Sequence, residues 1–148
     1  MIKFKPSTIE DCYELAPIMR QTDVEEVKAS HGLSPLGALI TSLQNSKYPQ
    51  TILANDKVIG MRGVGHAGPV GYPWLLGSEG VVRYAKTLHA TAKPWVESYL
   101  NEYTILYNYV SEDNRIAIKW LQRLGFVMIR RIPDHGMLRK PFYEFVRI

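Results

Sequence analysis

The side chains on this chain that could move a proton fall in three places. His66 follows an apolar run, His89 lies inside a helical pattern, and Tyr107 and Tyr109 alternate along an aromatic run that leads into Glu112 and Asp113. A tyrosine keeps its proton at neutral pH and can act as an acid, whereas a histidine there is ready to act as a base. Each has a structural reading beside the chemical one: a strand tyrosine packs in a core with its hydroxyl satisfied, and a histidine next to glycine sits in an exposed loop. His31 and His135 stand at turns with no partner in sequence. No set of His, Cys or carboxylate residues has the spacing of metal ligands, so metal chemistry is not expected.

These groups need elements to position them, and the clearest lie between residues 103 and 132. Tyr103 to Val110 is an aromatic and β-branched run without Gly or Pro, which reads as a strand. Asp113 or Asn114 can then cap a helix in which Ala117, Trp120, Leu121 and Leu124 form one apolar face. Gly125 suits a left-handed helix end, and Phe126 to Ile132 resumes as a strand. After the turn Pro133 to Gly136, Met137 to Ile148 completes a terminal hairpin.

The first half supplies the remaining parts. Ile2 to Lys5 is a short strand, and Ser7 with Glu10 makes a capping box for a helix that Pro17 should shorten. Thr22 with Glu25 makes a second box for a helix stopped by Gly32, and Ser34-Pro35 opens a third helix. Thr51 to Ala54 and Lys57 to Val64 form a hairpin around Asn55-Asp56, both of which tolerate positive φ. A glycine- and proline-rich segment, Gly65 to Gly80, carries a short strand at Tyr72 to Leu76. A long helix follows, with Pro94 kinking or splitting it. Arg62, Trp74 and Trp120 could line a groove, although packing of helices on the sheet is the favoured reading of both tryptophans.

The joined pattern of Asn114, Ala117 and Gly125-Phe126 after a strand resembles the C-terminal half of the GNAT acetyltransferase superfamily. That resemblance implies an α/β (α+β) domain spanning residues 1–148, with a mixed, mainly antiparallel twisted sheet of about seven strands and helices on both faces. It implies acetyl-CoA as cofactor and acetyl transfer to a primary amine. Asn114 and Ala117 would lie at the cofactor, and Gly77, Ser78, Glu79, Gly80 and Val81, with Leu76 leading in, would hold its pyrophosphate. Free amides and the helix dipole favour an anion at such a place, at about 0.3–1 kcal/mol per exposed interaction. The same residues also read simply as a capped helix start, with Ser78 as the cap and Glu79 in the first turn. The family's usual proton-donating tyrosine falls where this chain has Leu121, so Tyr109 or Tyr107 would serve as acid and His66 as base. Within the superfamily, the shortened glycine loop and the Asn-Tyr-Val strand end look most like the small acetyltransferase-like proteins of short-tailed bacteriophages. Members of such a group acetylate or bind a host protein, or act in virion assembly without catalysis.

Composition narrows the partners. At 148 residues, 46% hydrophobic and 22% charged, the chain suits one globular domain that needs neither metal nor disulfide for stability. Its net charge of +4 is spread along the sequence, with Arg130-Arg131 the densest cluster, which argues against nucleic acid and suits a polyanionic cofactor. The single Cys12 points to a reducing compartment and to a buried thiol. No apolar run approaches a membrane span and no signal-peptide core is present, so a soluble cytoplasmic protein is expected.

Overall fold

A computed structural model describes all 148 residues. Seven strands form one sheet: β1 (Ile2–Pro6), β2 (Ser46–Ala54), β3 (Lys57–Ala67), β4 (Val70–Gly77), β5 (Ile105–Ser111), β6 (Val127–His135) and β7 (Lys140–Arg147). Their order is β1-β2-β3-β4-β5-β7-β6, and β4 with β5 is the one parallel pair. The helices are α1 (Ile9–Leu15), α2 (Gln21–His31), α3 (Pro35–Gln44), α4 (Glu79–Arg83), α5 (Ala85–Tyr99) and α6 (Arg115–Arg123). This is the expected mixed, mainly antiparallel architecture. No helix is long and apolar enough to cross a membrane.

Alternation along the strands sends side chains into separate layers. Met61 and Leu76 pack with Leu15, Leu39 and Cys12 beneath α1 to α3. Val64, Leu106, Val110 and Phe145 pack with Val96 of α5 and Leu121 of α6 on the other face. Arg62 also points into that second layer. It is 5% exposed, its guanidinium lies 4.2 Å from the Phe4 ring centroid and 4.4 Å from that of Trp95, and Gln50 accepts from its Nε at 3.0 Å. Burial lowers its pKa to about 10, so it stays charged at neutral pH and is a packing cation, not a groove residue.

Several boundaries differ from the sequence reading. The first capping box lies one residue later, at Thr8 and Asp11, where Asp11 also binds Lys5 and Thr51. The second box does not form: α2 begins after Arg20 without a side-chain cap, because the Arg20 N–H donates to the Gly77 carbonyl and its guanidinium pairs with Asp23. Strand β2 starts at Ser46, before its register shift around Tyr48 (φ 52°), and β3 and β4 run longer than expected. The long helix breaks at Tyr84, where Val81 is anchored in the core, and runs unbroken through Pro94. Pro94 lies on the exposed side of α5, where water can take the carbonyl bond that its missing N–H leaves open.

Candidate active site

The site begins where two strands part. β4 and β5 pair only at Val70 with Ile105 and Gly71 with Leu106. Asn108 then bridges the gap, its Nδ2 donating to the Pro73 carbonyl at 2.7 Å, and beyond it the facing backbones no longer pair with each other. A cavity of about 200 Å³ opens there. One wall is Leu75, Leu76, Val81, Val82 and Ala85; the other is Val110, Asn114, Ala117, Trp120 and Leu121; Arg20, just before α2, with Asp23 and Glu26 of α2, closes it.

A second cavity, about 490 Å³, lies between α2, α3 and the β5, β6 and β7 region. Glu26, Trp74, Leu76, Asn108 and Tyr109 line both cavities, so the two spaces meet at these five residues. Two molecules entering from opposite sides would touch there.

Glu26 is the functional candidate that the sequence reading missed. Its Oε1 accepts from the Ser111 N–H at 2.7 Å and from Asn114 Nδ2 at 3.5 Å. Part of the residue stays open to the cavities while protein surrounds its carboxyl group. That burial, with Asp23 adding to it against the pull of the hydrogen bonds, pushes its pKa up to about 7. A carboxyl group at that value suits proton abstraction near neutral pH. Asp23 is also raised by burial, opposed by the charge of Arg20 and a hydrogen bond from the Gly77 N–H at 3.1 Å. The detectable signal was the spacing: Arg20, Asp23 and Glu26 recur every three residues and share one helix face.

Tyr109 lies at the junction. Burial, followed by hydrogen bonding to Glu144, lifts its pKa to about 12, so its hydroxyl stays protonated at neutral pH. Tyr107 lines the larger cavity alone. His66 is corrected: it is exposed near the β3–β4 turn, against Tyr103 at 6.3 Å between ring centroids, and reaches neither cavity. Length explains this, since β3 continues through His66 and carries it to the far end of the hairpin. His89 and Asp113 also lie outside both cavities, and Glu112 is held by Arg131 at 2.8 Å.

The residues expected at a cofactor divide. Leu76, Val81, Asn114 and Ala117 line the smaller cavity. Asn114 is 1% exposed and spent on both sides, its Oδ1 accepting from the Ala117 N–H at 3.3 Å. The helix start at Gly77 to Val81 does not present a row of free amides. The Gly77 N–H goes to Asp23, that of Ser78 to the Ile59 carbonyl, that of Gly80 to Ser78 Oγ and that of Val81 to the Ser78 carbonyl. Glu79 is exposed outside these bonds. Gly80 faces inward, where an added Cβ would stand 2.8 Å from Ile59 Cγ2. The start of α5 also has no side-chain cap, and there exposed Ala85 reaches the cavity between exposed Arg83 and Lys86.

Neither a family model nor a curated protein sequence matches the chain. Solved structures do. A GNAT-family acetyltransferase from Streptococcus pneumoniae aligns over 99% of this chain and 98% of its own, with a TM-score of 0.66 and 14% identity. Ard1 from Thermoplasma volcanium aligns over 99% and 97%, with a TM-score of 0.74 and 13% identity. The chain has the GNAT fold. The microcin C7 self-immunity acetyltransferase MccE, solved with acetyl-CoA and AMP, covers 99% of this chain and 92% of its own at a TM-score of 0.72 and 12% identity. On this GNAT fold, Leu121 is 3% exposed and belongs to the core.

Proposed function

We propose that the protein is an acetyl-CoA-dependent N-acetyltransferase acting on a primary amine. The observation that carries this reading is the meeting of two cavities, at the parting of β4 and β5, around a carboxyl group with a pKa near 7. The smaller cavity fits the cofactor in kind. Its walls are apolar, the unpaired strand edges suit the amides of an extended pantetheine arm, and the uncapped α5 start between Arg83 and Lys86 suits a pyrophosphate. MccE, of the same fold, is solved with acetyl-CoA.

Bound, the cofactor supplies an acetyl thioester whose C–S bond breaks as the amide N–C bond forms. Glu26 takes the proton that the ammonium must lose before its nitrogen can attack, and Asn114 with the Ser111 N–H holds the carboxylate in place. Tyr109 offers a hydrogen bond to the leaving sulfur, and because its raised pKa makes it a weaker acid than a thiol titrating near pH 8.5, the proton itself comes from solvent. Leu76 and Trp74 exclude water from the junction.

A second reading, a GNAT-fold binding or virion-assembly protein of the kind encoded by short-tailed phages, is favoured by Leu121 in the donor position and by the occupied amides of Gly77 to Val81. A host or virion protein would then be the partner, in the host cytoplasm. Thiol release from acetyl-CoA in the presence of primary amines separates the two. Turnover supports the enzyme; tight cofactor binding with no acetylated product under any condition supports the binding protein.

A further inference from the structure

The larger cavity has a chemical character that limits what it accepts. Tyr72, Tyr107, Tyr109, His135 and Phe142 all line it, and they form one continuous run of rings. Ring centroids are 6.3 Å apart between Tyr72 and Tyr107, 6.1 Å between Tyr107 and Tyr109, 4.8 Å between Tyr109 and His135, and 4.8 Å between His135 and Phe142. Glu26, at the end that meets the smaller cavity, is the one carboxylate in the lining, and no Lys or Arg joins it. Burial and the nearby His31 lower the pKa of His135, which keeps that ring neutral at pH 7.

The opposite wall carries Ser30, His31, Thr41, Ser42, Asn45 and Ser46 but no Lys, Arg or second carboxylate. Ser30 Oγ donates to the Val27 carbonyl, Asn45 Nδ2 donates to the Thr41 carbonyl, and Ser46 Oγ accepts from Trp74 Nε1 at 2.6 Å. These three groups are bonded within the protein, and His31, Thr41 and Ser42 complete the polar part of this wall, so a guest meets a run of rings on one side, small neutral hydroxyls and an imidazole on the other, and a single carboxylate at the junction.

We propose that the acceptor is a small arylalkyl monoamine, with its ammonium at Glu26 and its ring along the Tyr72 to Phe142 run. Aromatic faces attract both rings and cations, and the single carboxylate balances a single ammonium. A polyamine or aminoglycoside would leave further ammonium groups without a counter-charge. An aromatic amino acid would bring a carboxylate into a cavity with no Lys or Arg to receive it. The volume of about 490 Å³ is in the range for a small-molecule guest. In the reaction, the ammonium gives one proton to Glu26 and on to solvent, the free amine attacks the thioester carbonyl and loses a second proton as the N–C bond forms and the C–S bond breaks, and coenzyme A takes up one proton to leave as the thiol.

This inference rests on the acetyl-transfer reading, and its test separates the two. Thiol release would be followed with tyramine, tyrosine, ethylamine, spermidine and a lysine-containing peptide, and tyramine binding would be measured by calorimetry with and without coenzyme A. The expected result is a kcat/KM for tyramine about tenfold or more above every other amine. Tyr72→Ala and Tyr107→Ala should lower it more for tyramine than for ethylamine. Equal or better use of tyrosine, spermidine or the peptide overturns the proposal. If no amine is acetylated, saturable tyramine binding that Tyr107→Ala weakens still upholds the amine site while sinking the acetyl-transfer reading. Absence of tyramine binding at millimolar concentration overturns it.

Discussion

Asn114 and Glu26 are joined across 88 residues of sequence: the amide that caps α6 through its Oδ1 also donates from Nδ2 to the Glu26 carboxylate at 3.5 Å. The helix start beside the smaller cavity and the candidate base are therefore set by one buried side chain. Asn114→Ala should cost about 0.5–2 kcal/mol for the lost cap. It should also raise the Glu26 pKa further, since it removes a hydrogen bond that lowers it. Chemical denaturation and the pH profile of turnover check both effects. Because Asn114 is 1% exposed, acetyl-CoA affinity should change little; a large loss of affinity with unchanged stability would mean direct contact.

With Glu26 as the proposed base, activity and stability should run in opposite directions with pH. As the base, it must be ionised, so kcat/KM should rise through about pH 7 and level off above it. In folding, its native pKa is raised above the ordinary carboxylate value. The native state therefore binds more protons than the unfolded chain between about 4.5 and about 7, and this contribution to stability is lost as pH rises through that window. Glu26→Gln should remove both trends, lower kcat/KM by about 10²-fold or more, and still accept from the Ser111 N–H. An unchanged pH profile in the variant would assign the base elsewhere.

Much of this arrangement could be read from sequence because local rules agree with the tertiary fold at those points. Asn114 caps, Gly125 takes φ 89°, and Asn55-Asp56 takes φ 51° and 66° in its hairpin, all as their residue types favour. Glu26 could not be read this way, because its role arises from contact with Ser111 and Asn114 on distant elements. The amides of Gly77 and Ser78 likewise look free in sequence and are taken by Asp23 and Ile59, which arrive from elsewhere, whereas those of Gly80 and Val81 go to Ser78 as a local cap would have it. His66 failed for a geometric reason, since a strand three residues longer than expected moves its side chain out of the site.

Tyr109 and Tyr107 should separate in their effects. Tyr109→Phe removes the hydroxyl at the junction, and kcat should fall by about tenfold, less than the usual range for acid catalysis because only a hydrogen bond to the sulfur is lost and solvent supplies the proton. Tyr107→Phe should leave kcat nearly intact. Equal losses in both, at unchanged acetyl-CoA affinity, would remove Tyr109 from its role at the sulfur.

Gly80 separates packing from cofactor contact. An alanine there places a Cβ 2.8 Å from Ile59 Cγ2, so thermal unfolding should show a loss of about 1–3 kcal/mol, partly offset by helix propensity, with little change in cofactor affinity. Weakened acetyl-CoA binding at an unchanged Tm would place Gly80 against the phosphates instead.

The most direct measurement is calorimetric titration of acetyl-CoA into the intact protein and into Ala117→Trp, a substitution on the wall of the cavity of about 200 Å³ between the parted strands. The cleft reading expects saturable one-to-one binding to the parent chain and its loss in the variant, with the variant still folded. No heat at millimolar acetyl-CoA, or equal binding by both proteins, would contradict it.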